Sequence, residues 1–423
     1  MKRIDWTSPK ALFALLILLG VILPAFPFMR YEDSFSRGWP FIFFTKGETV
    51  MKAIAIYLGI GILFFIAHDR AVKTVKVRPL YALDDTKFFQ WAVILLAVSL
   101  LTFGLILYLV GGVSGLLAGA SDRTRQFAGI QGLFILLNIL SALNVVWFVR
   151  LTRRKTTSAE KVIFVLIALL SLAILSLQGQ KSTLFILIAT WAVIFNLRVR
   201  RFLLMEILAG AAALFVLLMA YHIYKQEYLV LGRVVSLQSG DRFWTSVYAF
   251  LNDQFFGNFM QLQTMCVLIE GMPIPLGFQY GYTYVAGALL LLPKALFPDK
   301  PLPSTGIFTQ AFWPSAWRDY GTTLPPGIFG EGYLNFGIFG ALGLGYLAGM
   351  IMGRLRGRVL NDPDDDLAVI DYAVAVAAML HFFRGEFATP LFIVLSIILP
   401  CRLFMRRDHR VLLPAPEHAT ARG

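Results

Sequence analysis

Long apolar runs, broken by short polar and often basic punctuation, dominate the chain. Ten stretches stand out: 11–28, 50–67, 88–112, 128–148, 162–178, 182–197, 202–222, 328–352, 367–384 and 386–404. Most approach the roughly 20 apolar residues that a helix needs to cross a bilayer; the sixth is short. The pattern predicts an all-α polytopic membrane protein with about ten transmembrane helices in a single integral membrane domain over 1–423. The connections are short except one. Residues 223–327 form a large loop between the seventh and eighth helices, and long loops tend to carry function. Within it, 243–265 is aromatic-rich with Asn252, Asp253 and Asn258 interspersed, and reads as a helix lying on the membrane. The segment 284–297 is apolar but broken by Pro293, so an interfacial or re-entrant segment is expected there. No internal repeat is visible, which argues against an inverted-repeat transporter.

Composition agrees. Of 423 residues, 58% are hydrophobic and 15% charged, with mean hydropathy +0.70. A soluble domain cannot hide that much apolar surface. The net charge of +13 would suggest nucleic acid in a soluble protein. Here its placement along the chain gives another reading. With the N-terminus taken as cytoplasmic, 24 of the 38 Lys and Arg fall on the inner side, against 13 of the 25 Asp and Glu. That asymmetry follows the positive-inside rule, puts both termini in the cytoplasm and makes the basic excess mostly topogenic. No nucleic-acid partner is expected. The first 28 residues have a basic start and an apolar run without a small-x-small cleavage pattern, so an uncleaved first helix is expected. Cys266 and Cys401 fall on opposite sides of the membrane, so no internal disulfide is expected. Five scattered histidines lack ligand spacing, and neither a metal nor a cofactor is implied.

The polar, Gly-rich stretch Gly321–Gly340 carries Glu331 and Asn335 and runs into the apolar segment Ile338–Met352. Such groups are costly beside hydrocarbon unless they face protein or water, so the stretch reads as the floor of a site. Glu331 could act as a base on a hydroxyl, or accept backbone amides of its Gly-rich turn; Tyr333 and Asn335 would position substrate. Lys181, in the turn Gln178–Ser182, is either a snorkelling lysine or a cation for a phosphate. Arg384, in His381–Phe387, suits bidentate phosphate or carboxylate recognition, with an Arg384–Glu386 pair as the plainer alternative. Gly385 would permit the sharp reversal there. Arg242 and Arg318 are the best-placed cations of the loop, each beside an Asp that could simply pair with it. Trp317 and its aromatic neighbours suit sugar stacking or the membrane interface. Arg233, Lys225, Lys294 and Lys300 are weaker candidates, and His381 reads as interfacial. Asp84–Asp85 and Asp362–Asp366 resemble metal-binding Asp pairs, but their short inner loops make solvated or helix-capping residues the expectation.

With these residues in view, the chain resembles the oligosaccharide repeat-unit polymerases, the Wzy-type O-antigen and exopolysaccharide polymerases. The resemblance rests on Leu291–Pro301, Gly330–Gly337, the Gly179–Ser182 turn and Phe383–Glu386, in that family's order and on one side of the membrane. It implies a GT-C-like polymerase/ligase architecture in a bacterial inner membrane, with the large loop periplasmic. It implies a metal-independent, inverting glycosyl transfer between oligosaccharides carried on undecaprenyl pyrophosphate. Arg384, Lys181 and Glu331 would then be catalytic. Arg242, Arg318, Tyr333, Asn335 and Trp317 would bind substrate, and 243–265 and 284–297 would wall a groove for the lipid tails. Membrane lipid and a chain-length regulator protein are the further partners it suggests. An O-antigen ligase shares this architecture. A flippase should instead carry charges mid-helix and have no large outer loop, and an acyltransferase should show a catalytic His.

Overall fold

The computed structural model describes residues 5, 7–25, 46–75, 79–119, 130–153, 156–177, 181–224, 260–289, 299–320 and 323–408. Helix α1 (Pro9–Ile17) runs into a π-turn at Leu18–Ile22 and is followed by α2 (Gly47–Lys73) and a short strand β1 (Leu80–Leu83). Next come α3 (Asp85–Val110), α4 (Gly112–Gly119), α5 (Gln131–Leu136), α6 (Ile139–Arg153), α7 (Ser158–Leu177), α8 (Lys181–Arg198) and α9 (Leu204–Tyr224). The described parts of the long loop form α10 (Gln261–Gly271), α11 (Tyr282–Ala288), α12 (Ser304–Phe312) and α13 (Pro314–Tyr320). The chain closes with α14 (Gly327–Asn361), α15 (Asp366–Arg384), α16 (Ala388–Cys401), a 3-10 turn and β2 (Met405–Asp408).

Among the described residues, six helical stretches are long and apolar enough to cross a membrane: α2, α3, Gly132–Arg153, α7, α14 and α15. Pro9–Ala25, Ser182–Arg198 and Ala388–Phe404 are shorter apolar helices. Large apolar side chains such as Leu101 on α3 and Phe339 on α14 are exposed on the bundle's outside, at 74% and 82%. Faces of that kind belong against lipid. The protein is an α-helical, membrane-embedded bundle. Among the described residues, β1 and β2 are its one strand pair, antiparallel with Leu80 opposite Asp408 and Leu83 opposite Met405.

Helix ends follow local chemistry. Asp84 caps α3 by accepting the Thr86 N–H, and Asp365 caps α15 by accepting that of Ala368. Helix α3 stops at Gly111 in the left-handed region, φ 82°. Helix α2 has Glu48 in its first turn and Arg70 and Lys73 in its last, each matched to the helix dipole.

The tightest seam joins α2 and α14. Gly345, Gly349, Gly353 and Gly357 lie against Ile60, Phe64, His68 and Val72, four residues per step on both helices. The two helices therefore run parallel, and any added Cβ would press into the α2 backbone. Helix α14 is broken within its length. Phe336 has φ −136°, and Gly337 has φ 60° with ψ −149°, which only glycine adopts readily. The break leaves carbonyls without helical donors. Leu334 and Asn335 carbonyls accept instead from the Gln279 and Tyr280 N–H groups, at 3.0 and 3.1 Å. The stretch Gly327–Asn335 is thus a half-helix rather than a Gly-rich turn, plugged at its end by the chain leading into α11.

The expected surface helix over 243–265 is described only from Met260. There α10 is an interior element, with Leu262, Met265 and Cys266 fully buried and packed on α2 and α14. Its apolar residues face protein on all sides, which the aromatic-rich composition could not distinguish from a lipid-facing surface. Residues 284–288 belong to α11, and 290–298 lie outside the described residues. Cys266 and Cys401 are both free and buried.

Candidate functional site

Glu331 occupies the first half of α14 and is 2% exposed. Its Oε1 accepts the Thr283 hydroxyl at 2.8 Å and its Oε2 the Phe387 N–H at 2.6 Å. It does accept a backbone amide, but from the turn between α15 and α16 rather than from its own Gly-rich stretch. Asn335, one helical turn on, is fully buried. Its Nδ2 donates to Thr283 Oγ1 at 2.7 Å and to the Glu331 carbonyl at 2.8 Å, while its Oδ1 accepts the Gly281 N–H at 2.8 Å. Asn335 therefore clamps the broken helix to α11. Tyr284 on α11 packs edge-on against Phe387, centroids 5.5 Å apart. Burial, and then the nearby Glu331 charge, raises the Tyr284 phenol above its ordinary range, so it stays neutral.

Arg384 ends α15 one residue after Phe383, whose ring packs against Phe329 of α14 at 6.0 Å. Tyr57 of α2 and Phe13 of α1 pack on the same pair. This aromatic knot fixes Arg384's helix end against the half-helix that carries Glu331. Gly327, with φ 76°, opens that half-helix so close to the Phe383 carbonyl that a Cβ would stand 2.8 Å from it. The reversal after Arg384 does not use a left-handed glycine, because Gly385 has φ −85°. What glycine provides there is room, since a Cβ would meet the His381 carbonyl at 2.7 Å.

Glu386, read from sequence only as a partner for Arg384, is a second buried carboxylate, 6% exposed. Its Oε1 accepts the Thr389 hydroxyl at 2.7 Å. Its Oε2 accepts the Thr305 hydroxyl at 3.1 Å, with the Ser304 hydroxyl and Thr305 N–H at 3.4 Å. Glu386 thus satisfies the N-terminus of α12 from outside that helix. The Ser304 hydroxyl interacts with Glu331 as well, and the two carboxylates feel each other's charge.

Lys181 opens α8. Helix α8 packs against α15, with Arg198 at the end of α8 on Asp366 at the start of α15. From that contact each helix rises roughly 26 Å, at about 1.5 Å per residue, to Lys181 and to Arg384. Both cations therefore belong to the same end of the bundle. Tyr333 is half-buried on the half-helix and feels the charge of Lys52. Lys46 and Lys52, at the start of α2, are residues that sequence reasoning passed over. Of the two, Lys52 lies near enough for its charge to act on Tyr333. Lys52 also pairs with Glu48 at 2.6 Å, and the Lys46 N–H donates to Glu270 at 3.2 Å. Lone lysines at the head of an apolar helix give no signal in the sequence.

The structure does not bring Arg318 or Trp317 into the Glu331 node. Arg318 is exposed on α13 and donates through Nε to the Pro314 carbonyl of its own turn at 3.3 Å, and Trp317 is half-buried beside it. Lys300 is partly buried, and burial lowers its ammonium below the ordinary range. Arg242, Arg233, Lys225, Lys294 and the Gln178–Gln180 turn lie outside the described residues, as does the Lys181 side chain.

The opposite end corrects the reading of the acidic runs. Asp84 and Asp365 are helix caps as expected. Asp366 is fully buried rather than solvated. It pairs with Arg153 and with Arg198, the latter at 2.6 Å, and accepts the Leu83 N–H of β1 at 2.8 Å. Asp85 pairs with Arg150, which also holds Glu160 at 3.0 Å. Arg356 reaches Asp5 at 2.7 Å and Tyr372 at 2.9 Å. Several arginines at this end are therefore structural. No protein-family model, curated protein or solved structure matches the chain.

Proposed function

We propose that the protein polymerises oligosaccharide repeat units carried on undecaprenyl pyrophosphate, at the periplasmic face of a bacterial inner membrane. The topology of this reading has ten spans, both termini in the cytoplasm and residues 223–327 outside. One observation carries it: the Glu331 carboxylate holds the backbone of the Arg384–Phe387 turn, at 2.6 Å to the Phe387 N–H. Glu331 and the turn that begins at Arg384, far apart in the chain, thus meet, and the head of α8 with Lys181 belongs to the same end.

The acceptor's terminal hydroxyl attacks the anomeric carbon of the donor chain. A new C–O bond forms, the bond from that carbon to the pyrophosphate oxygen breaks, and the hydroxyl proton passes to water. Arg384 and Lys181 stabilise the departing pyrophosphate, with Arg242 or Arg318 supplied by the loop. Charge stabilisation of this sort is usually the largest catalytic term. Glu331, nearly unexposed and with both oxygens engaged, contributes by holding the turn rather than by taking the hydroxyl proton. Tyr333 and Trp317 remain candidates for sugar contact.

The test is deletion of the gene, complemented with wild type or Arg384→Ala, followed by gel and mass spectrometry of surface and lipid-linked sugars. Single repeats that persist while long chains vanish, both on deletion and with Arg384→Ala at normal protein level, support the reading. The expected loss of polymer is at least about 100-fold. Complete loss of attached sugar with long lipid-linked chains accumulating means a ligase. Accumulation of unflipped single units means a transporter.

A further inference from the structure

We propose that Thr283 and Glu386 are positioning residues that fasten the Arg384–Phe387 turn from two sides. The inference rests on the glycosyl-transfer reading for what that turn does.

The direction of the hydrogen bonds on the Thr283 side is determined. Asn335 Oδ1 accepts from the Gly281 N–H, so its Nδ2 is the group that faces Thr283 Oγ1 at 2.7 Å. The amide orientation follows from that main-chain donor. Nδ2 can only donate, so the single hydroxyl proton of Thr283 is left to point at Glu331 Oε1, 2.8 Å away. Glu331 then receives a proton from each side, Thr283 on Oε1 and the Phe387 N–H on Oε2. A carboxylate that accepts at both oxygens has one orientation, and the Phe387 amide is pinned by it.

Glu386 fastens the same turn from the other face. It bridges Thr389, at the start of α16, to Ser304 and Thr305, at the start of α12. Removing either support frees a buried polar group and lets the turn choose among conformations. Displacement of a charge-stabilising group by about 1 Å can cost on the order of 100-fold in rate. Neither support touches the reacting atoms, so the signature of the role is a change in rate per folded molecule together with a loosened turn.

The experiment uses the full-length protein in detergent or liposomes, as wild type, Thr283→Val, Thr283→Ser, Glu386→Ala and Glu386→Gln. Amide exchange of the peptide spanning residues 383–389 is followed by mass spectrometry, and turnover of lipid-linked repeat units is measured as kcat and KM. Thr283→Val and Glu386→Ala are expected to speed exchange about tenfold or more. They are expected to lower kcat about 10- to 100-fold with KM within about twofold. Thr283→Ser, which keeps the hydroxyl, is expected to stay near wild type in both readouts, and Glu386→Gln to recover part of each. Unchanged exchange in Thr283→Val and Glu386→Ala overturns the positioning role whatever the turnover. Faster exchange with unchanged kcat overturns it too, leaving a purely structural contact. Wild type that turns over no lipid-linked repeats overturns the functional reading, and the positioning role falls with it; the exchange data then still report whether the two side chains fasten the turn.

Discussion

Both ends of the bundle bury carboxylates, and they satisfy them with different chemistry. At the end that gathers β1, β2 and the starts of α3 and α15, the partners are guanidinium groups. Asp366 meets Arg153 and Arg198, Asp85 meets Arg150, and Asp5 meets Arg356. At the end that gathers α11, α12 and the half-helix of α14, Glu331 and Glu386 are met by threonine and serine hydroxyls and by backbone N–H groups. Ion pairs join helices that are remote in sequence and cancel charge where it is buried. Hydroxyl and amide donors instead use the carboxylate's oxygens to orient backbone. The first arrangement suits assembly of the bundle. The second suits holding a turn of backbone in one place.

The largest effect should fall on the guanidinium end. Asp366→Ala removes the shared acceptor of two arginines and of the Leu83 N–H, leaving buried donors without compensation. Breaking a buried pair of this kind costs about 3–5 kcal/mol. Thermal or denaturant unfolding in detergent should show that loss, and a change under about 1 kcal/mol would remove the structural role assigned to this end.

A smaller stability effect is expected at the other end. Glu331→Gln keeps one acceptor oxygen for the Phe387 N–H but cannot accept at both positions. Its cost should be about 1–3 kcal/mol, the range for one unsatisfied buried group. The polymer assay should report it more strongly than the unfolding assay does. If the substitution proves as destabilising as Asp366→Ala, the contrast between the ends collapses.

Much of this organisation was legible in the chain. The apolar runs located the helices, including α14 and α15. Glu331 and Arg384 stood out because a charge beside an apolar segment needs a reason. Other features depended on contacts that no local pattern encodes. Asp366 closes the run Asp362-Pro-Asp-Asp-Asp366 and looks solvated; its arginines lie 213 and 168 residues away. Glu386 is a lone acid beside an arginine, and the hydroxyls that hold it come from a loop helix 81 residues earlier. The glycines at 345, 349, 353 and 357 were readable as a four-residue repeat. Their partner helix was not, because a stripe of small residues says that something approaches closely without saying what. The break at Gly337 was half legible: a Gly-rich stretch signals irregular backbone, yet the chain leading into α11 supplies the donors that its end lacks.

The smallest effect sharpens the comparison, because it sets two adjacent carboxylates against each other. Asp365 and Asp366 share one helix start and one bulk composition. Asp365 works on backbone amides: its Oδ1 accepts the Ala368 N–H at 3.0 Å and its carboxylate also engages the Leu367 and Tyr81 amides, tasks for any short acceptor. Asp365→Asn should therefore be nearly neutral, and Asp365→Ala should cost about 1 kcal/mol, the usual loss of an N-cap. Asp366→Asn keeps shape and hydrogen-bonding capacity but not the charge that faces Arg153 and Arg198. It should cost several times more than the same change at its neighbour, by unfolding of the two variants side by side. Equal costs would mean that shape and hydrogen bonding matter at this end and charge does not, which would make the two ends of the bundle chemically alike.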